Sequence, residues 1–347
     1  MSVAGGGFSR GGGRDPRLVG GRCRRKGTKE LSYHVPVMAV EVLAGLLVDD
    51  DGLYIDATAG GGGHSEVILQ ALGSSGNLLA CDRDSAAVNE AGRRLAPHRG
   101  RVTFLQCTFS SLARSAAPLL RQFAKAQPSW SAASGVLFDL GVSSHQIDEP
   151  QRGFSYHRDG PLDMRMDRSA GVPAGRLLAQ IPEADLVGLI RKYGEERAAR
   201  RIARSICRAR DEGKMNSTAD LTRAIEMTKP QMPNKTLARV FQALRIKVND
   251  ELGELERGLA EAIELLRPGG RLAVIAYHSL EDRIVKQKMA QLVKGCVCPP
   301  ALPACACGLV STFHPMGRMQ RATDAEVEAN PRARSAALRV YEKLGQD

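Results

Sequence analysis

The segment Leu53-Tyr-Ile-Asp-Ala-Thr-Ala-Gly-Gly-Gly-Gly-His-Ser65 decides the fold. A short apolar run, Leu53 to Ala57, ends in a glycine-rich turn, and a helical period from Ser65 to Leu72 follows at once. Glycines placed after a strand let backbone N–H groups approach a ligand at a helix N-terminus, where the dipole favours a carboxylate or phosphate. A flexible loop is the plain alternative for a bare glycine run.

Working outward, Asn77 to Asp82, Val102 to Gln106, Gly135 to Leu140 and Arg271 to Tyr277 repeat the apolar texture. Continuous rather than alternating apolar runs predict strands covered on both faces, so the expected fold is α/β with a parallel, Rossmann-like sheet. About 130 residues separate the fourth run from the fifth, where a βα repeat needs roughly thirty to forty. The spacing therefore predicts an inserted helical subdomain over residues 148–244, with Leu186, Leu189, Ile190, Tyr193 and then Ile202, Ala203, Ile206 at helical intervals. Residues 31–147 and 245–347 would form the core around it, and Phe241 to Leu266 one long helix stopped by Arg267-Pro-Gly-Gly270.

The second run ends in Asp82-Arg-Asp84, where an acidic side chain can hold both hydroxyls of a ribose. A dinucleotide fingerprint requires a third glycine, and Ser65 or Glu66 stands there instead. A mononucleoside ligand such as S-adenosylmethionine asks less of that position, which weakens the rival reading of an NAD-dependent oxidoreductase. The fourth run ends in Asp139-Leu-Gly-Val-Ser-Ser-His-Gln146, a second polar turn beside the first. Asp139 can face a substrate there or cap the next helix, and His64 can cap its helix or touch ligand.

Nine motifs then appear in order: His34-Val-Pro-Val-Met38, Asp56-x-Thr-x-Gly-x-Gly-Gly-His64, Asp82-Arg-Asp84, Asp139-Leu-Gly-Val-Ser-Ser144, Arg152-Gly-Phe-Ser155, Asp159-Gly-Pro-Leu-Asp-Met-Arg-Met166, Phe241-Gln-Ala-Leu-Arg-Ile246, Tyr277-His-Ser-Leu-Glu-Asp-Arg283 and Asn330-Pro-Arg-Ala-Arg-Ser335. From about Tyr33 to the C-terminus the chain resembles the small-subunit ribosomal RNA cytosine-N4 methyltransferases of the MraW (RsmH) family. The resemblance implies a class I methyltransferase sheet with an inserted helical domain, S-adenosyl-L-methionine as methyl donor, and the exocyclic N4 of a cytidine in the decoding region of small-subunit rRNA as acceptor. It implies cofactor contacts at Gly62, Gly63, His64, Asp82, Phe109, Asp139 and Gln146. Phe109 would stack on adenine, or serve as an ordinary core aromatic.

The N4 lone pair is delocalised into the cytosine ring, so N4 is a poor nucleophile. An acceptor for its N–H bonds would draw that lone pair toward the methyl group, and orientation adds to the effect. Asp139 is the first candidate for that acceptor, followed by His278, Ser279 and Asp282. Ser279 has a plain alternative as a helix cap and Asp282 as a salt-bridge partner. Asp159, Asp163 and Arg165 would order a loop over the site or brace the insertion.

The chain's 347 residues carry Lys+Arg 49 against Asp+Glu 38, a net +11 that favours a polyanionic partner. Residues 1–30 hold eight basic and two acidic residues, leaving +5 for the remainder. They read as a disordered basic tail, with an organellar transit sequence as the alternative. Residues 191–214 carry nine basic against four acidic side chains, a net +5. Arg197, Arg201 and Arg204 in that stretch, with Arg332, Arg334 and Arg339 near the C-terminus, are candidate phosphate contacts; a solvated helix face is the alternative. The partner would be small-subunit rRNA or the small ribosomal subunit, with oligomeric state open and a homodimer one option. A non-catalytic RNA-binding or assembly factor is a further rival, disfavoured by the polar motifs at strand ends.

No apolar run approaches the roughly eighteen residues of a membrane span. Eight cysteines are too few for a disulfide scaffold, and no signal peptide opens the chain, so a reducing compartment is expected. The matched motifs and the C-terminal cysteine segment look bacterial, and the resemblance therefore implies the cytoplasm, with an organellar matrix the alternative. Cys296-Val-Cys298 and Cys305-Ala-Cys307 are read as reduced thiols in a proline-rich loop, with no metal assigned; four thiolates around zinc is the open alternative.

Overall fold

The computed structural model describes residues 36–299, 302, 304 and 306–345; the predicted tail and Cys305 lie outside the described residues. The strands are β1 (Leu53–Asp56), β2 (Asn77–Asp82), β3 (Val102–Gln106), β4 (Ala133–Asp139), β5 (Leu266–Ala276), β6 (Phe313–Pro315), β7 (Gln320–Arg321) and β8 (Ala337–Lys343). They form one sheet in the order β3-β2-β1-β4-β5-β8-β6, with β7 also pairing β8. β1 to β5 are parallel. β8 runs antiparallel to both its neighbours β5 and β6. A parallel sheet whose order reverses between β1 and β4, with one antiparallel strand wedged beside the last, is the class I methyltransferase arrangement.

The helices are α1 (Ala39–Leu46), α2 (Gly63–Ala71), α3 (Ser85–Arg94), α4 (Leu112–Ala126), α5 (Ser144–Asp148), α6 (Ala174–Gln180), α7 (Glu183–Gly194), α8 (Ala199–Asp211), α9 (Thr218–Glu226), α10 (Pro233–Asn249), α11 (Glu251–Leu265), α12 (Ser279–Lys294) and α13 (Asp324–Ala329). Strand alternation sorts the sheet's side chains into two cores. Leu53, Ile55, Leu79, Val136, Phe138, Leu272 and Val274 meet α4, α11 and α12. Tyr54, Leu78, Ala80, Leu137, Ala273 and Ile275 meet α1, α2 and α3 on the other face. Burial on both faces is why these strands read as unbroken apolar runs.

Helices α6 to α10 enclose a third core with Phe154, Leu162 and Met164. In α8 the buried residues Ala199, Ile202, Ala203, Ile206 and Cys207 form one stripe, while Arg200, Arg201, Arg204 and Arg208 face water.

Two expectations need correction. The helical pattern from Phe241 to Leu266 is two helices, because Asp250 between α10 and α11 adopts φ 48 and ψ 40, left-handed values that end one helix before the next begins. β5 starts at Leu266, so Arg267-Pro-Gly-Gly270 lies within the strand rather than before it. The C-terminal strands, β8 above all, went unpredicted.

Candidate active site at the strand ends

Parallel strands bring their carboxyl ends to one edge, and the order reversal between β1 and β4 opens a crevice there. Asp56 ends β1, Asp82 ends β2 and Asp139 ends β4. Tyr277 follows β5, two residues beyond Ile275, which pairs with Asp139.

The glycine turn is held from below by Asp56, which is fully buried. Its carboxylate accepts from the Thr58 backbone N–H at 3.0 Å, the Thr58 hydroxyl at 3.3 Å and the Ser65 hydroxyl at 2.7 Å. Burial nevertheless outweighs these donors and raises its pKa. Thr58 passes the connection on, since its Oγ1 accepts the Asp139 N–H at 2.7 Å. Gly62, at φ 80, is the cap residue of α2, a conformation that a Cβ would strain. The first helical bond runs from Glu66 N–H to Gly62 O, so the amides of Gly63, His64 and Ser65 have no partner within the helix.

Asp82 accepts from the Gly60 N–H at 2.9 Å and the Asp84 N–H at 2.8 Å, which ties the turn to the end of β2. Burial pushes its carboxyl up to about 6, against the lowering effect of those two amides.

Asp139 is gripped from two sides. Tyr277 donates its hydroxyl to Oδ1 at 2.8 Å, and His64 Nδ1 stands 3.3 Å from Oδ2. His64 is buried, and its Nε2 lies 2.8 Å from the Val37 carbonyl, which can only accept. Nε2 therefore carries a proton, and a second proton on Nδ1 makes the ring cationic toward Asp139. Burial acts to lower the His64 pKa, but the charge and hydrogen bond of Asp139 outweigh it and the value is raised. Burial, followed by the charge of Asp139, drives the Tyr277 pKa far up, so its hydroxyl stays a donor at working pH.

Neither cap role considered for Asp139 and His64 is the observed one. Ser143 caps α5 in a reciprocal box with Gln146, and α2 has no side-chain cap. Gln146 is occupied at both ends, its Oε1 accepting from Ser143 N–H at 3.0 Å and its Nε2 donating to Asp84 at 2.9 Å. Arg152 also reaches Asp84, at 2.7 Å, and both side chains are buried. Phe109 is half-buried, edge-on to Phe138 with ring centroids 5.1 Å apart. A cavity of about 300 Å³ adjoins Asp84 and Arg152 and is lined also by His145, Glu149 and Arg168. Its lining includes neither the glycine turn nor Asp139.

A family model described as the MraW methylase family matches residues 31–344. The chain belongs to the MraW methylase family. A ribosomal RNA small subunit methyltransferase H from Symbiobacterium thermophilum is 49% identical over 317 residues, covering 90% of this chain and 97% of that protein. Proteins of the same name from Heliobacterium modesticaldum, 44% identical over 321 residues, and a Paenibacillus species, 44% identical over 316, each cover 90% of this chain and 99% of their own.

The remaining motif residues of this MraW methylase have definite places. His278 caps α12: its Nδ1 accepts from the Glu281 N–H at 3.3 Å, and the Glu281 carboxylate accepts from the His278 and Tyr277 amides. Ser279 is thus the first residue inside the helix rather than its cap, and its hydroxyl bonds Glu195. Asp282 makes a two-pronged ion pair with Arg339 at 2.7 and 3.1 Å, the salt-bridge alternative considered for it. Among the described contacts, none of His278, Ser279 or Asp282 bonds Asp139; Tyr277, one residue earlier, does. Asp159 accepts from Ala219 and Gly160 amides and so braces the start of α9, while Asp163 pairs with Arg165 at 2.7 Å. Arg197, Arg201 and Arg204 are exposed, Arg204 lying 3.8 Å from Glu183. Arg332, 3.2 Å from Asp148, and Arg334, near the C-terminus, are also exposed. Tyr277, Asp56 and Arg152 stand inside motifs legible in the sequence but drew no role there; the signal for Tyr277 was its place at the exit of the strand beside Asp139.

Proposed function

We propose that this chain methylates the exocyclic N4 of a cytidine in the decoding region of small-subunit ribosomal RNA, using S-adenosyl-L-methionine. The observation that carries the reading is the Asp139 carboxylate, fixed between Tyr277 and His64 at the switch point of the sheet. Relatives named ribosomal RNA small subunit methyltransferase H, matched over nearly their whole length, support the substrate class.

The residues fit the cofactor. A Cβ built on Gly61 meets nothing within 4 Å, so the turn borders open space, and the amides at the start of α2 that have no partner within the helix suit a carboxylate. Asp82, ionised, offers acceptors for two ribose hydroxyls. Gly62, Gly63, His64, Asp82, Phe109, Asp139 and Gln146 are the contacts assigned, with Gln146 acting by fixing Asp84 and the turn after β4. The bound cofactor supplies an electrophilic methyl group on a sulfonium sulfur.

Asp139 does the orienting. Each of its oxygens is held by one protein donor and keeps acceptor capacity for an N4–H bond. Accepting that bond localises the N4 lone pair; transfer would break the cofactor's S–CH₃ bond, leaving a neutral thioether, as N–CH₃ forms, and Asp139 would take the released N4 proton and pass it to water at this partly exposed group. Tyr277 and His64 are positioning residues, and His278, Ser279 and Asp282 act through helix α12 rather than on the acceptor. The exposed Arg197, Arg201, Arg204, Arg332 and Arg334 take RNA phosphates. We place residues 148–244, which hold α6 to α9 and most of α10, as the inserted subdomain, the substrate as small-subunit rRNA or the subunit itself, and the setting as the bacterial cytoplasm. Among the described residues, no helix is long and apolar enough to cross a membrane.

Incubation with methyl-labelled S-adenosylmethionine and small ribosomal subunits, followed by nucleoside analysis, tests the reading. Labelled N4-methylcytidine that disappears with Asp139→Ala is the expected result. Absence of label with cofactor binding intact would overturn the rRNA assignment.

A further inference from the structure

The segment from Gly295 to Val310 has no regular secondary structure among its described residues, and it turns its apolar side chains outward. Val297, Leu302, Leu309 and Val310 are 64%, 48%, 54% and 66% exposed. Its cysteines do the reverse. The Sγ atoms of Cys296, Cys298 and Cys307 all lie within 4.8 Å of one another, on half-buried side chains. Hydrophobic packing would bury valine and leucine along with thiols, so the burial of sulfur alone requires another cause.

The distances name one. Zinc bonded to thiolates at about 2.3 Å in a tetrahedron sets neighbouring sulfurs about 3.8 Å apart. Cys307 Sγ and Cys296 Sγ are 3.7 Å apart, far beyond the roughly 2.05 Å of a disulfide. The Ala306 N–H points at Cys298 Sγ at 3.3 Å, the backbone bond that stabilises negative charge on a metal-bound sulfur.

The ends of the loop are clamped as a metal-closed loop needs. Gly295, at φ 67, ends α12, and a Cβ there would come within 2.4 Å of the Val310 carbonyl carbon, so the two ends of the loop touch at a point only glycine allows. Thr312 N–H donates to Leu292 O at 2.9 Å, fastening the exit of the loop to the last turn of α12. Among the described residues between these clamps, none belongs to a hydrophobic core.

We infer that Cys296, Cys298 and Cys307 bind a thiophilic divalent cation, zinc, as a structural centre that folds the loop between α12 and β6. Binding takes the thiols as thiolates and releases their protons to solvent. The centre lies outside the Asp139 site and contributes nothing to methyl transfer.

The test uses the full untagged chain, loaded with zinc, desalted and analysed for metal. About one zinc per chain is expected, falling below about a tenth in the Cys296→Ser/Cys298→Ser/Cys307→Ser variant, which should bind S-adenosylmethionine as before. A wild-type chain holding less than about a tenth of an equivalent, or a triple variant holding as much as wild type, would overturn the assignment. If the triple variant fails to fold, thiol titration of the wild type decides: zinc must protect about three thiols that chelation exposes, and equal counts with and without chelator would sink the idea.

Discussion

Tyr277 contributes one hydroxyl to the site, and among the described residues it and His64 are the two side chains that hold the Asp139 carboxylate. Tyr277→Phe keeps the ring and removes the donor, so Oδ1 loses its tether while the cofactor contacts other than Asp139 stay. Misplacement of an orienting group by a fraction of an ångström costs roughly ten- to a hundredfold in turnover. We expect kcat to fall by about that factor with the dissociation constant for S-adenosylmethionine changed less than about twofold, read by single-turnover kinetics and calorimetry. A loss confined to cofactor affinity would move Tyr277 out of the orienting role. Asp82 gives a pH prediction. Its carboxyl is raised to about 6, chiefly by burial, and ribose hydroxyls require the ionised form as acceptor. Cofactor affinity should therefore be full above about pH 6 and weaken by up to about tenfold per unit below it. Asp82→Asn should bind more weakly and without that pH dependence, and a wild-type profile that stays flat through this range would refute the ribose contact.

Helix α8 presents its charge by construction. The apolar stripe from Ala199 to Cys207 fixes the helix against the core, so Arg200, Arg201, Arg204 and Arg208 have nowhere to lie but the solvent face. If Arg197, Arg201 and Arg204 meet phosphates, replacing all three by Ala should reduce the slope of log affinity against log salt by about two to three, leaving cofactor binding alone. Filter binding of rRNA fragments across a salt series measures it, and an unchanged slope would return these residues to mere solvation. The stripe was readable in the sequence because its period needs only local information. β1, β2 and β4 were readable for a similar reason, since burial on both faces makes their centres apolar, whereas β3 is only half-buried and was read from its short Val-Thr-Phe-Leu run. β8 was not: Arg339, Glu342 and Lys343 break its pattern, and Arg339 looks like a phosphate contact until Asp282 is found beside it. The break between α10 and α11 was hidden because Asp250, not glycine or proline, takes the left-handed turn. Within the site, the glycine turn and the strand-end acids could be read directly, whereas the grip of Tyr277 on Asp139 depends on β4 pairing with a strand more than a hundred residues away.

At the scale of the whole molecule, a few polar side chains join the sheet's cores to the helical one. Arg152 donates to Asp84 at the start of α3 and to the carbonyls of Arg165 and Met166. Asn249, at the end of α10, donates to the Met164 carbonyl and accepts from the Met166 N–H, while Arg83 donates to the Asn249 carbonyl. Arg152→Ala removes the guanidinium and leaves the Asp84 carboxylate buried with its charge uncompensated, at a cost of about 3–5 kcal/mol. Adding Asp84→Asn should recover part of that loss, because the stranded charge is gone. The chain has one tryptophan, Trp130, which packs on the sheet core beside Phe123, whereas far-ultraviolet circular dichroism is dominated by the helices. In wild type the two signals should change together on urea unfolding, as one cooperative unit requires. In Arg152→Ala they should separate, with the dichroism falling first as the helical core lets go while tryptophan still reports an intact sheet. Coincident transitions in the variant would mean that Asn249 and Arg83 suffice to couple the cores, and that Arg152 serves the Asp84 turn alone.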